Sequence, residues 1–465
     1  MALIKADLKR GEKVVSNIEI LQRDDLVFSP KNRPDLETAI TLILGAQGGY
    51  IIPFAAVPLA HHLGIAEQNL FRCLFGRDAL LVSDLLQKRR SELQENVVMA
   101  LASVQGTKFD PLSEEEPGRI AHEVREIDDP RAIELRTSGH WKFPYYGAVD
   151  ATLIWLTTLA RISANKPDFL DREIAGVPMW QRAIAATNWI FARMQSPSGF
   201  IESVRSNPQG IENQVWKDSG DSYMHCDGTV ANGTSTASIE TVAEAFDALH
   251  AVIQIIGQRP SDLWPGSISE MFDRAEGLRT NLLEQMWLGD RFALGTERNL
   301  NGSQQPFDSQ ASNQGRLLDS NILVGKQFLR YREAIARTLV GPGLLGETGL
   351  RTLSKDHPAY RPGGYHTGSA WPMDGVFSSR GLFRHGYDLE ARKISQHINH
   401  AIESFGGYPE FFRSDYPEGD LISTSQIDVI SKLVNGKEFL NRIIQPPQIM
   451  QGWTIGAYAW LSENR

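Results

Sequence analysis

Cysteine is almost missing from this chain: Cys73 and Cys226 are the only two in 465 residues. Neither sits in a C-x-x-C pair, so neither a zinc ribbon nor a disulfide scaffold is expected, and a reducing compartment fits best. Positive charge is also short, with 47 Lys and Arg against 56 Asp and Glu, a net charge of −9 and a pI of about 5.7. An acidic surface of this kind excludes electrostatic attraction to nucleic acid or anionic membrane as the basis of function. Uninterrupted apolar runs of membrane-spanning length are lacking too, and the start Met-Ala-Leu-Ile-Lys-Ala-Asp has no charged-then-apolar leader pattern. The expectation is a cytoplasmic protein with no membrane partner and no nucleic-acid partner.

What is present is helical periodicity. Ile239, Val242, Phe246, Leu249, Ile253 and Ile256 recur at three- and four-residue spacing, as one face of a long helix requires. Leu93, Val97, Leu101 and Val104 repeat the pattern, as do Ile268, Phe272, Ala275, Leu278, Leu282 and Met286. Further helices are expected near 148–164, 177–195, 326–340, 372–386, 389–404 and 448–462. About ten to twelve helices emerge, with few convincing strands. Ser16–Leu21 and Asp25–Phe28 are candidate short strands in an N-terminal extension, 1–33, and residues 34–465 read as one all-α catalytic domain.

The connections are long and rich in glycine, aromatics and acids, notably 199–234, 296–314 and 356–374. Long connections in a compact domain usually carry function. Asn213-Gln214-Val215-Trp216-Lys217-Asp218-Ser219-Gly220-Asp221 and His225-Cys226-Asp227-Gly228 place three carboxylates, two amides, a lysine and a tryptophan together. A partly desolvated carboxylic acid stays protonated and can donate to a leaving oxygen, and Asp218 beside Trp216 is such a candidate. Asp221 and Asp227 are suited to sugar hydroxyls. His225 with Asp227 matches no metal-ligand spacing, so no metal and no cofactor are expected.

Glu410 lies in Gly407-Tyr408-Pro409-Glu410-Phe411-Phe412, a carboxylate among aromatics, where an acid needs a partner or a task. Arg77-Asp78 offers a donor beside an acceptor at the start of a helix, suited to paired hydroxyls. Tyr146 to Asp150 and Gly364 to Asp374 are two more aromatic-and-acid segments. Ser369 lacks the flanks of a nucleophile elbow, and no phosphate loop or dinucleotide fingerprint occurs.

In order along the chain, these segments resemble the C-terminal amylo-α-1,6-glucosidase domain of bacterial glycogen-debranching-type enzymes, kin to glucoamylases and α-glucosidase I. The likeness runs from about Leu70 to Leu461. It takes in Phe75 to Asp78, Gln105 to Lys108, Glu115 to Ile120, Tyr146 to Thr152, Asn213 to Asp218, Gly349 to Ser354, Gly364 to Asp374, Tyr408 to Phe411 and Pro447-Gln448. It implies an (α/α)6 barrel with Asp218 as general acid and Glu410 as general base. It also implies that Arg77 and Asp78 grip the outer hydroxyls of a terminal glucose. Tyr146, Asp150, Trp216, Asp227, His366 and Trp371 match pocket-lining positions, and Lys217 lies among them.

Four departures fall on the leaving-group side. The large N-terminal β-domain of many relatives is absent or reduced to a remnant, Met373 stands where relatives often carry His, an insertion follows Phe412 through about Leu440, and the small-residue run near the C-terminus reads Ile449-Met450-Gln451-Gly452. The sequence therefore points to an inverting, exo-acting glycosidase on a small glucoside or oligosaccharide, with a small-molecule sugar as its partner. The alternatives it leaves are a glycoside phosphorylase, an inactive carbohydrate-binding protein on the same fold and, furthest off, a metal-dependent hydrolase.

Overall fold

The computed structural model describes residues 33–57, 71–139, 141–415, 425–430, 440–445 and 448–464. The two strands expected before Phe28 lie outside the described residues. Thirteen α-helices are found among those that are described: α1 (Leu36–Ile43), α2 (Gly76–Leu85), α3 (Glu92–Ser103), α4 (Pro130–Thr137), α5 (Asp150–Asn165), α6 (Met179–Arg193), α7 (Ile239–Gln258), α8 (Ile268–Gln285), α9 (Arg316–Asp319), α10 (Leu329–Leu339), α11 (Pro372–Arg384), α12 (Asp388–Phe405) and α13 (Gly452–Glu463).

Local chemistry explains where these helices start and stop. The Ser238 and Ser267 side chains accept from the backbone N–H groups of Thr241 and Glu270, capping α7 and α8. Pro372 opens α11, where its missing N–H costs nothing. Gly406, at φ 92°, takes the left-handed conformation that ends α12. The helical periodicity predicts most of these elements to within a few residues. It misses α1, α4 and α9, and α2 shows only through the helix start at Arg77-Asp78; α9 is a single turn continuing a 3-10 turn at Ser312–Gly315 and is too short to show a period.

The helices form two shells. α2 packs on α5, α5 on α7, α7 on α9, α9 on α11, α11 on α13, and α13 back on α2, which closes a ring of six. Outside it, α3 covers α2 and α5, α6 and α8 cover α7, α10 backs the Ser312–Gly315 turn, α12 covers α11, and α1 covers α13. An inner helix has neighbours all round, and α13 accordingly buries Trp453, Ile455, Ala457, Tyr458, Ala459 and Leu461 without a polar stripe. Close approach needs small residues: a Cβ on Gly381 would lie 2.5 Å from the backbone nitrogen of Asp319 in the next inner helix. One hydrophobic core runs from Ala39 to Leu461.

Strands are short and sit between helices. The connection expected at 296–314 contains part of a three-stranded antiparallel sheet, in which Gly295–Arg298 pairs with both Ser235–Ser238 and Gln304–Pro306. The hairpin turns at Asn301-Gly302, a pair that favours tight turns. The insertion after Phe412 includes an antiparallel hairpin of Ser425–Ile430 with Leu440–Gln445. No helix among the described residues is long and apolar enough to cross a membrane.

Within the ring, partly buried ion pairs tie the inner helices together. Arg380 of α11 meets Asp84 of α2 at 2.6 Å and Asp319 of α9 at 2.7 Å, while Arg316 of α9 reaches Glu244 of α7 at 3.2 Å. These groups line a cavity of about 90 Å³ along the ring axis.

Candidate active site

The site forms where the inner helices begin. Arg77 and Asp78 occupy the first turn of α2, Asp150 opens α5, Glu240 lies in the first turn of α7, and Asp374 in that of α11. Arg77 Nε donates to Asp150 Oδ2 at 2.6 Å, with both side chains almost fully buried. Asn313 Nδ2 donates to Glu240 Oε1 at 2.8 Å. These contacts bring the helix starts to one end of the ring, where the partial positive charge of helix N-termini favours carboxylates.

Asp218 is held by a loop that is itself clamped. Arg119 donates to Gln214 Oε1 at 2.6 Å, and the Val149 N–H at the head of α5 donates to the Gln214 carbonyl at 2.8 Å. On the far side Asn213 Nδ2 reaches the Ser219 carbonyl at 2.8 Å, and Lys217 Nζ reaches the Thr352 carbonyl at 2.7 Å. Asp218 is 8% exposed, with a small opening and otherwise buried surroundings. The Glu115 to Ile120 segment thus has a structural task, because Arg119 braces the acid loop.

Glu410 comes from the opposite direction, on the segment that follows α12. Tyr365 donates its hydroxyl to Oε1 at 2.7 Å, and the Gln448 N–H donates to Oε2 at 3.2 Å. Burial pushes the Glu410 carboxyl up to about 7; the two hydrogen bonds pull it down, and the charges of Asp218 and Asp78 push it up. Burial likewise raises Asp78 to about 6, with Arg77 opposing and Asp218 and Asp150 adding to the rise. The charges of Asp218 and Asp78 reach Glu410, and those of Asp150 and Asp218 reach Arg77 and Asp78, which places these five residues in one electrostatic cluster.

An aromatic wall backs the cluster. Trp371 stacks on His366 (centroids 5.1 Å, 23° between planes) and on Phe411 (5.3 Å, 26°), and meets Trp216 edge-on at 5.6 Å. Its indole N–H donates to the Tyr365 carbonyl at 2.8 Å. At 1% exposure, Trp371 is a wall under the site rather than an open stacking face. His366 lies within hydrogen-bond distance of Ser219 and Ser222 through Nδ1. Burial drives its pKa well below the usual value, and the Lys217 charge adds to this, so it is neutral. Burial lowers Lys217 to about 8, against the pull of Asp374 and Glu240.

Two expected pocket residues have their polar ends engaged elsewhere. Asp227 is exposed and caps its own turn by accepting from the Thr229 N–H at 2.8 Å. Tyr146 donates its hydroxyl to the Val104 carbonyl at 2.7 Å, which ties it to the loop after α3. In the other direction, Glu240 and Asn313 belong to the site without having been singled out from the sequence, and Tyr365 and Asp374 lie in the segment Gly364 to Asp374 without having been named as site residues. Tyr365 had a signal, being an aromatic beside His366 in a glycine-rich turn. Glu240 had a weaker one, an acid on a helix that must be covered on both sides. Among the described residues, no group of three or more His, Cys, Asp or Glu side chains is arranged to hold a metal.

No family model matches the sequence, and no curated protein matches it. Solved structures do. A GH63 mannosylglycerate hydrolase from Thermus thermophilus, in complex with Tris and D-glycerate, is similar with a TM-score of 0.57 and 14% identity, over 92% of this chain and 100% of that one. An uncharacterized conserved protein from the same organism is similar with a TM-score of 0.56 and 12% identity, over the same shares. A glycosidase variant in complex with glucose is similar with a TM-score of 0.52 and 13% identity, over 92% of this chain and 95% of that one. At such identities the likeness establishes the fold: this chain, over nearly its whole length, folds as these glycosidases do.

Proposed function

We propose that residues 34–465 form an (α/α)6 catalytic domain that hydrolyses a small glycoside, releasing a terminal sugar, α-linked glucose, by single displacement with inversion. The observation that carries this reading is the meeting of Asp218 and Glu410, from separate segments, in one buried cluster with Arg77, Asp78 and Asp150 at the mouth of the helical ring. The closed ring of six inner helices with six outer ones supports the barrel. The fold shared with proteins named as glycosidases supports the reaction class.

In this reading Asp218 protonates the glycosidic oxygen as its bond to the anomeric carbon breaks. Glu410 takes a proton from the water whose oxygen forms the new bond from the other face. Arg77 and Asp78, fixed by Asp150, orient the outer hydroxyls of the sugar. Lys217, His366 and Trp216 shape the floor beside the acid. A group titrating near 7 suits a general base at neutral pH.

The leaving group is small. A relative named as a mannosylglycerate hydrolase, solved with D-glycerate bound, supports a sugar joined to a small polar alcohol. The test is release of free sugar from small α-glucosides, glucosyl-polyols and glucosyl-glycerate, with Glu410→Gln as the control. A higher kcat/KM on limit dextrin than on any of these compounds overturns the small-substrate reading. Release from no glycoside at all overturns the hydrolase.

A further inference from the structure

Glu410 is an acid in a dry place, and a base must be ionised to work. The groups that face it are Tyr365 from the segment before α11, Asp218 from the loop after α6, Asp78 from α2 and the backbone N–H of Gln448 before α13. Two of these four are carboxylates, which favour protonation of Glu410. The Tyr365 hydroxyl and the Gln448 N–H favour its charged form. Of the two, the tyrosine makes the shorter contact, 2.7 Å against 3.2 Å.

Tyr365 is also well fixed. Its ring meets Trp371 edge-on at 4.9 Å and Phe411 at 5.3 Å, near 80° and 88°. Its carbonyl accepts from the Trp371 indole and from the Ser369 hydroxyl. Burial raises its own pKa well above the usual value, with the Glu410 charge adding to the rise, so the hydroxyl keeps its proton and remains a donor. At 2% exposure it is buried beside the carboxylate it donates to.

We propose that Tyr365 is a positioning residue for the base: its hydroxyl holds the Glu410 carboxylate in one orientation and favours its ionised form. The inference rests on the reading of Glu410 as the base, yet it is tested without turnover. The carbonyl stretch of protonated Glu410 is followed by pH-difference infrared spectroscopy on the resting protein and assigned by its disappearance in Glu410→Gln. In Tyr365→Phe, which keeps the ring and its packing, the titration midpoint rises by about one pH unit, the scale of a hydrogen bond to a charged group. The acidic limb of kcat/KM moves upward with it, while kcat on the alkaline plateau changes less. An unmoved midpoint in folded Tyr365→Phe overturns the proposal, because a purely packing role survives that change. If Tyr365→Phe does not fold, 3-fluorotyrosine placed at 365 is the second arm. Its more acidic hydroxyl is a stronger donor, so the midpoint falls; a midpoint equal to wild type or above it overturns the proposal. Absence of sugar release by the wild type defeats the hydrolase reading alone, since the infrared midpoint still decides the role of Tyr365.

Discussion

The guanidinium of Arg77 lies 2.6 Å from the carboxylate of Asp150, and this one contact joins the starts of two inner helices in the floor of the site. Both side chains are almost wholly out of water. A buried pair of this kind adds little net stability over an apolar pair of the same volume, but losing one partner strands a charge. Its value here is geometric: it fixes the donor fork of Arg77 next to Asp78, which leaves Asp78 facing the cluster of acids.

Arg77→Ala should therefore lose about 3–5 kcal/mol of stability, as breaking a buried pair does. Arg77→Met with Asp150→Leu should recover much of that loss in denaturant titrations while leaving sugar binding as weak as in the single variant. Full recovery of activity by the apolar double variant would mean that the pair is only a fold device.

The two carboxylates can be told apart by the leaving group. With a glycosyl fluoride, departure needs little proton donation, so Asp218→Asn should keep much of its rate. On ordinary glycosides it should fall by about 10²–10⁴-fold, the usual worth of a proton-transfer partner. Glu410→Gln should lose activity on both. The reverse pattern would exchange the two roles.

Activity and stability should respond to pH in opposite senses. As a base, Glu410 works when ionised, so kcat/KM should fall as pH drops through about 7. For stability, the folded carboxyl titrates near 7 and the ordinary one near 4.5, so between those values the folded state holds the extra proton. Raising the pH through that window removes stability, by about 3 kcal/mol for a shift of this size. Asp78, near 6, and Glu240, near 7, act with the same sign. Glu410→Gln should thus melt above wild type at pH 8, with the gap closing toward pH 4.5. A gap of constant size across that range would show that Glu410 titrates normally in the folded protein.

Much of this was legible in the sequence where a residue's chemistry is local. The long helices show themselves by period, and Asp218 and Glu410 are proposed as acid and base from being acids amid aromatics. What hides is whatever depends on closure of the ring. α9 is one turn long and carries no period, yet it completes the inner shell. Glu240 looks like the polar face of α7 until the ring puts that face inside. Trp371 reads as a loop aromatic for stacking on sugar and is buried against His366 and Phe411. Asp227 resembles a pocket acid and caps a turn at the surface, because Thr229 two residues on offers its N–H.

Stereochemistry gives the last prediction. An inverting glycosidase holds its carboxylates about 6.5–9.5 Å apart so that water fits between base and sugar, whereas a retaining one needs about 5–5.5 Å and a carboxylate free to form a sugar ester. Both oxygens of Glu410 already accept hydrogen bonds, from Tyr365 and from Gln448, and this suits a base held in place more than a nucleophile that must advance on the anomeric carbon. Asp221, an acid on the same loop as Asp218, accepts from the Ser219 hydroxyl at 2.7 Å, in the same network as His366. Neither arrangement offers a loose carboxylate for covalent attack. From an α-glucoside the first product should be β-glucose, seen by proton NMR within minutes of mixing, before the anomers equilibrate. Initial release of α-glucose, or a glycosyl ester trapped on Asp218, Asp221 or Glu410, would defeat single displacement.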